Sequence, residues 1–469
     1  MGFVGMFFFS LLLLLGILSQ QLLRSQRARN YALLATSLLF YFFGGVIYIL
    51  LLILETMLFW YCGLLMAEAK GPAQKKAMTA GPVVFSLVLL ILFKYTTPVL
   101  EMTRQMFRAP QVVPQIVMPL GISVYTLNLI SYLVDVYRGK TEPEQSFVSL
   151  LTYSSLIHIA PAGPLVYYRD IRQRLAARKP HPQNFAVGVG DFSLGVVKVF
   201  LLAGGLEPLC NQLLVRSNQG LMEAPALAIW LGVFLSGIRV YLLLSGYTGI
   251  AMGLGLMTGL RYPENFAYPL LSCSVKSFYE KWFMTLSAFL REYVAEPIAA
   301  LSPKCKTLGM TVSYVLFGWW FGGTPNYLLL GVFLAAAILL EDGLIRKAPK
   351  ALRRTLGIVG MAVIFFLMSF ASLPRLWLGL RGLVGLNPGG FFQKAALLPA
   401  LHALPLILLS ICFCMPLGQM LRSFCNGHFQ EESGVRKAAA VFETIYPIGL
   451  LILTGVLLLT GGTATFLTL

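Results

Sequence analysis

The sequence predicts an all-α membrane protein of many spans, and three observations carry that prediction. Charged residues make up only 12% of the 469 residues, against 57% hydrophobic. A soluble domain usually carries about 25% charged residues, so the chain has too few to cover a water-facing surface. The apolar residues are gathered into blocks of span length, about 20 residues being enough to cross a bilayer. Short basic runs separate the blocks and supply most of a formal net charge of +17, from 36 Lys and Arg against 19 Asp and Glu. Basic runs so placed set orientation, because Lys and Arg are enriched in cytoplasmic loops. That placement argues against nucleic acid as a partner and for the lipid bilayer.

The blocks run over 2–23, 31–44, 46–67, 80–97, 112–134, 147–165, 190–206, 225–257, 308–321, 326–340, 355–373, 395–416 and 440–460. They predict roughly 11–13 transmembrane or re-entrant helices in one membrane domain, 1–469, with no internal repeat. The first block has no charge before it and Arg24, Arg27 and Arg29 after it. A cleaved signal peptide has the opposite flanks, so this is a first span with its N-terminus outside. The second and third blocks cross twice between the basic loops 24–29 and 70–76, turning at Gly44-Gly45. The next two return the chain to Arg138 and Lys140 on the same side.

Block 147–165 breaks this alternation. Arg169, Arg172, Arg174, Arg178 and Lys179 follow it directly, and a full crossing would put them outside. The block also ends in Pro161-Ala162-Gly163-Pro164, which cannot continue a regular helix. The prediction is a re-entrant segment that enters and leaves on the cytoplasmic side. Such backbone is tolerated only where protein or a wet cavity covers it. The loop with Arg346, Lys347, Lys350, Arg353 and Arg354 is expected on that side too.

The seven cysteines, Cys62, Cys210, Cys273, Cys305, Cys412, Cys414 and Cys425, lie mostly in or beside apolar blocks. None has a metal-finger or redox spacing, so they read as small buried hydrophobes, and no metal site is expected.

Residues 240–345 differ from the rest, because polar and aromatic residues interrupt the apolar ones throughout. Ser245-Gly246-Tyr247-Thr248 is followed by Arg261-Tyr262-Pro263-Glu264-Asn265-Phe266-Ala267-Tyr268-Pro269. Then come Trp282-Phe283, Leu290-Arg291-Glu292-Tyr293, Trp319-Trp320-Phe321-Gly322 and Asn326. Polar groups at membrane depth usually face a protein interior or a wet cavity. Arg261 and Glu264 are placed to pair across the turn at Pro263. Glu280, Lys281 and Arg291 suit an amphipathic interfacial helix with Trp282 and Phe283 towards lipid.

With Gly121-Ile122-Ser123-Val124-Tyr125-Thr126, Ile130-Ser131-Tyr132, Asp135-Val136-Tyr137-Arg138-Gly139, Ala162-Gly163-Pro164 and Tyr168-Arg169-Asp170, these motifs occur in an order that resembles the membrane-bound O-acyltransferase superfamily. The branch they resemble is the bacterial one of alginate O-acetylation and D-alanyl transfer. The motif-bearing core spans about 115–345. The resemblance implies a ring of tilted helices around a central funnel. It implies an acyl thioester or acyl carrier protein as donor, with no other cofactor, and a polysaccharide or lipid hydroxyl as acceptor. An acyl carrier protein or a periplasmic acyltransferase is the implied partner, and the bacterial inner membrane the implied location. It also places a histidine in a Trp-His-Gly motif and a second one after the Trp of the interfacial helix.

This chain departs from the pattern at both histidines. The two positions read Trp320-Phe321-Gly322 and Trp282-Phe283. The four histidines, His158, His181, His402 and His428, all lie outside residues 182–401. Leu243 and Gly249 stand where the family often has aspartates, and 299–304 replace a polar loop. Acyl transfer to a hydroxyl needs a base that removes its proton, which histidine does near neutral pH. Phenylalanine cannot accept a proton.

Two functional readings follow. In the first, the chain is a His-less homologue acting as partner, regulator or passage for an acyl or glycan chain. In the second, it is an active transferase with rearranged catalytic groups. Arg261, Glu264, Asn265, Trp282, Trp319, Trp320 and Asn326 are then the tunnel or substrate residues. His158, Cys273 and Cys305 are candidate substitutes, a cysteine being able to carry the acyl group, and Glu280 and Glu341 lie in the same part of the chain. A transporter unrelated to acyl transfer would show paired broken helices in two similar halves, and the chain has no half-to-half similarity.

Overall fold

The computed structural model describes residues 3–107, 113–178, 181–343, 345, 348–417, 420, 423–424 and 434–459. Lys179, Arg346, Lys347, Cys425 and His428 lie outside the described residues. The described residues are helical, with no strand beyond one isolated bridge, Phe266 to Trp282. They form two compact units, Met1–Phe192 with Ile250–Glu264, and Ser193–Gly249 with Asn265–Leu469.

The first unit holds α1 (Phe3–Leu22), α2 (Gln26–Gly44), α3 (Val46–Glu68), α4 (Pro72–Phe107), α5 (Ile122–Tyr137), α6 (Phe147–Ser154), α7 (Tyr168–Ala177) and most of α8 (Pro182–Val196). The second holds a π-helical stretch, Val197–Ala203, then α9 (Gly204–Leu213), α10 (Asn218–Glu223) and most of α11 (Ala226–Met257). It continues with α12 (Val275–Lys281), α13 (Met284–Leu290), α14 (Glu296–Leu301), α15 (Cys305–Trp320), α16 (Pro325–Gly343) and α17 (Lys350–Ser369). It ends with α18 (Leu373–Leu383), α19 (Lys394–His402), α20 (Leu404–Phe413) and α21 (Gly434–Leu459).

Among the described residues six helical runs are long and apolar enough to cross a membrane. They are α3, α4, the run Pro182–Leu213, α11, α16 and α17, and the α19–α20 pair, bent by 61°, would make a seventh. Three shorter apolar helices lie within α1, α5 and α21. The protein is an all-α polytopic membrane protein. The turn expected at Gly44-Gly45 falls at Gly45, whose φ of +129° suits glycine and separates α2 from α3. Block 112–134 is helical only from Ile122; residues 113–119, with Pro114 and Pro119, have no regular secondary structure.

In the first unit the segment expected to be re-entrant folds as a hairpin. α6 stops at Ser154, well before the prolines, and residues 155–167 form a non-helical return. A polar ladder pins this hairpin along α5. Arg169 donates two hydrogen bonds to Asp135, at 3.0 and 3.2 Å. The Tyr132 hydroxyl accepts from the Glu144 amide, and Tyr168 donates to the Glu144 carboxylate. Deeper in, Tyr153 donates to the carbonyls of Asn128 and Val166, and the Val166 amide donates to Asn128 Oδ1. At the far end Ala160 packs on Gly121, whose φ is +71° and whose missing Cβ leaves room for the Tyr41 hydroxyl. The hairpin therefore runs the length of α5, about 24 Å at 1.5 Å per residue, and returns. Backbone groups of the return are satisfied by Asn128 of α5, Tyr153 of α6, Ser37 of α2 and the hairpin itself, as irregular backbone shielded from water requires.

The basic segments on either side of the hairpin consequently share one end of the unit. Lys75, Lys140, Arg169 and Arg172 line a common cavity. Arg178 donates to Asn30 Oδ1 and Gln20 Oε1, both at 2.6 Å, and Arg29 donates to the Arg178 carbonyl. The loops 24–29, 70–76, 138–140 and 169–178 thus lie together, as the sequence pattern requires.

Candidate functional site

Phe283 and Phe321, which stand where the resemblance leads one to expect histidines, come together in the second unit. α12 ends at Lys281, Trp282 is extended, and Phe283 turns the chain with φ +49° before α13 begins. A bulky residue in the left-handed region costs of order 1–3 kcal/mol and persists only when its surroundings over-determine it. Asn265 supplies that constraint. Its carbonyl accepts from the Met284 amide at 2.9 Å. Its Oδ1 accepts from the Thr285 amide at 3.0 Å and the Thr285 hydroxyl at 2.8 Å, serving α13 as an N-cap supplied from a distance. The Ala267 amide donates to the Lys281 carbonyl, which closes the bridge between Phe266 and Trp282.

The ring of Phe283 lies edge-to-face on Phe321, centroids 6.0 Å apart at 89°. Phe266 meets its other side at 5.7 Å and 90°. Phe321 rests in turn on Phe317 at 5.4 Å, and Phe317 on Tyr279 at 4.7 Å. Trp282 stacks on Phe278 at 5.0 Å and touches Phe266 and Tyr241. Such T-shaped and offset pairs contribute about 0.5–1.5 kcal/mol each beyond simple burial. The Phe321 ring is placed at the end of α15, where Gly318 lets the helix meet Gly331 of α16 backbone to backbone.

The expectation that Trp282 and Phe283 face lipid is overturned. They are only 1% and 7% exposed, because the helix breaks at Trp282 and both rings turn into the aromatic cluster. The expected Arg261–Glu264 pair is overturned as well. Both side chains are exposed and no bond joins them; the Arg261 carbonyl instead accepts from Arg174 of α7. Asn326 is fully buried, its Nδ2 donating to the Phe370 carbonyl at 2.6 Å, which ties the start of α16 to the end of α17. Trp319 and Trp320 are half-buried.

The candidate substitutes are scattered. His158 is buried in the hairpin of the first unit, its Nδ1 2.9 Å from the Tyr262 hydroxyl. The space beside it is about 10 Å³, on the order of one water. His181 and His402 are exposed. Cys273 is exposed beside an apolar groove, and Cys305 sits half-buried at the start of α15. A thiol needs a nearby base or cation to become a nucleophile. Glu341 is committed to holding the backbone. Its two oxygens accept from the Val275 and Lys276 amides at 2.7 and 2.9 Å and cap α12. Glu280 is exposed.

The sequence reading missed the Asn265–Thr285 clamp and the roles of Phe266 and Phe317. It also missed an ion pair inside the second unit, Arg239 to Glu207 at 2.8 Å. The signal for that pair was present, since Arg239 is a charge near the middle of the apolar helix α11.

These features define a polytopic membrane protein with a buried hairpin and a buried aromatic centre. Comparison with known proteins then places it. The sequence pattern of the MBOAT, membrane-bound O-acyltransferase family matches residues 144–379, about half of the chain. The chain belongs to that family. It is 30% identical over 310 residues to a probable alginate O-acetylase of Azotobacter vinelandii, covering 64% of this chain and 60% of the relative. It is 24% identical over 369 residues to a peptidoglycan O-acetyltransferase of Helicobacter pylori, covering 70% and 68%. A teichoic acid D-alanyltransferase of Bacillus subtilis is 23% identical over 228 residues, covering 46% and 57%. With the probable alginate O-acetylase of Pseudomonas aeruginosa the match covers 52% of the relative, so the chain spans little more than half of some curated relatives.

Proposed function

We propose that this protein is a histidine-less member of its family that serves an extracytoplasmic polysaccharide O-acylation system without itself supplying the catalytic base. Its role is that of a partner, a regulator or a passage for an acyl or glycan chain. It sits in the bacterial cytoplasmic membrane with its basic loops inside and its N-terminus outside. Its partners are an acyl carrier protein or a periplasmic acyltransferase. The observation that carries this reading is the edge-to-face packing of Phe283 on Phe321. The positions where the family's histidines are expected fill each other's space with rings that neither accept nor donate a proton. Loss of a general base typically costs a factor of about 10²–10⁴.

The test is acyl transfer by the purified full chain in nanodiscs. Labelled acyl thioesters and acyl carrier protein serve as donors; alginate, peptidoglycan and teichoic acid serve as acceptors. The Phe283→His/Phe321→His variant runs beside the wild type. Wild-type silence with activity in the variant supports the reading. Wild-type turnover overturns it and turns attention to Cys273, Cys305 and Glu264.

A further inference from the structure

The first unit carries a cavity that the reading above does not use. It has a volume of about 710 Å³, within the range of small-ligand pockets and too small for a folded protein. It lies where four helices end or begin. Met66 and Ala67 close α3, Lys75 opens α4, Val136 and Tyr137 close α5, and Arg169 and Arg172 belong to α7.

Its charge is built rather than scattered. Arg169 is held by Asp135, which is only 1% exposed, and Arg172 by Glu142 at 3.2 Å and Glu144 at 3.8 Å. These bonds fix the guanidinium groups in place. The arginines' carboxylate partners are Asp135, Asp170, Glu142 and Glu144, but of these only Glu142 lines the cavity, against the four cations Lys75, Lys140, Arg169 and Arg172. Lys140 is delivered by the end of α5. Gly139 has φ +70°, and the Lys140 amide donates to the Asp135 carbonyl at 2.8 Å. This is a helix end closed by a left-handed glycine, and it turns the next residue back over the helix. Met66, Ala67 and Val136 contribute an apolar wall to the same cavity.

We propose that this cavity binds the phosphate-bearing headgroup of an anionic phospholipid. The cations take the phosphate and the apolar wall takes the start of the acyl chains. A cationic pocket between membrane helices at the level of the headgroups has this chemistry. A soluble phosphate compound shares the phosphate but has no use for the apolar wall. The site stands whether or not the aromatic centre transfers an acyl group.

The test uses the full chain purified in neutral detergent, with bound lipid read by native mass spectrometry during titration with phosphatidylglycerol or phosphatidylcholine. Lys75→Gln/Lys140→Gln is compared with a matched pair elsewhere, Lys304→Gln/Lys306→Gln. All four lysines are exposed, so neither change disturbs packing. The expected result is at least tenfold tighter retention of phosphatidylglycerol than of phosphatidylcholine. That preference falls at least tenfold in Lys75→Gln/Lys140→Gln, is kept in the control pair, and weakens with added salt. Equal retention of the two lipids overturns the proposal, and so does an unchanged preference in Lys75→Gln/Lys140→Gln. Pyrophosphate is titrated alone in a separate arm. If it binds in a way that depends on Lys75 and Lys140 while phosphatidylglycerol does not, the cavity is a soluble-phosphate site and the lipid assignment is wrong.

Discussion

The hairpin along α5 and the aromatic cluster around Phe283 are both buried irregular backbone in a membrane protein, and they are held in opposite ways. The hairpin is fastened by polar groups: Asp135 to Arg169, Glu144 to Tyr132 and Tyr168, Asn128 to Val166. The turn at Phe283 keeps one polar clamp, Asn265, and is otherwise packed with rings. Polar side chains persist where irregular backbone must be paired away from lipid. They are missing at Phe283 and Phe321, where the sequence resemblance leads one to expect histidine.

The comparison can be broken most decisively at the ladder. Arg169→Ala takes a cation from the buried Asp135, and loss of one partner of a buried pair costs about 3–5 kcal/mol. The expected outcome is a large fall in thermal unfolding midpoint, or loss of monodisperse protein on size exclusion. A near-wild-type variant would mean that water reaches Asp135.

Phe283→Ala removes a buried ring, at a cost of about 3–5 kcal/mol. Phe321→Ala should cost less, because that ring is half-buried. Equal losses in chemical denaturation would show the two sites to be equally packed and would weaken the contrast with Phe283.

Asn265→Ala strips Thr285 of its acceptor and should cost about 1–3 kcal/mol. The sharper readout is local, a rise in hydrogen exchange at the Thr285 amide, which loses the Oδ1 acceptor, with the Met284 amide still bonded to the backbone carbonyl of residue 265. Protection retained in the variant would remove Asn265 as the clamp.

The smallest expected effect is the coupling between the two rings. A double-mutant cycle on Phe283 and Phe321 should give about 0.5–1.5 kcal/mol, the usual worth of an edge-to-face pair. A coupling indistinguishable from zero would mean that the rings share a neighbourhood without supporting each other.

Much of the fold was legible in the chain. Apolar runs, basic loops and the Gly45 break are local properties, and the conflict between block 147–165 and the basic residues after it was enough to require a re-entrant segment. Which groups would satisfy that hairpin was not legible, because Asn128 and Val166 meet only when the segment folds back along α5. The site divides in the same way. The phenylalanines at 283 and 321 can be read from motif order alone. An interfacial helix with Trp282 facing lipid was the natural reading of its polar neighbours, and it failed because α12 ends one residue earlier. That Glu341 caps α12 and Asn326 holds the end of α17 could not be read from the chain either.

Composition and spacing by themselves determined the membrane class, the separation of basic from apolar segments and the absence of histidine from the motif-bearing core beyond residue 182, since each depends only on which residues stand where. Tertiary structure decided that Phe283 meets Phe321, that Asn265 holds the strained turn beneath them, and that Lys75, Lys140, Arg169 and Arg172 face one cavity. Those contacts join residues far apart in the chain, and no local preference encodes them: they exist only once burial and hydrogen bonding have chosen one packing of the helices.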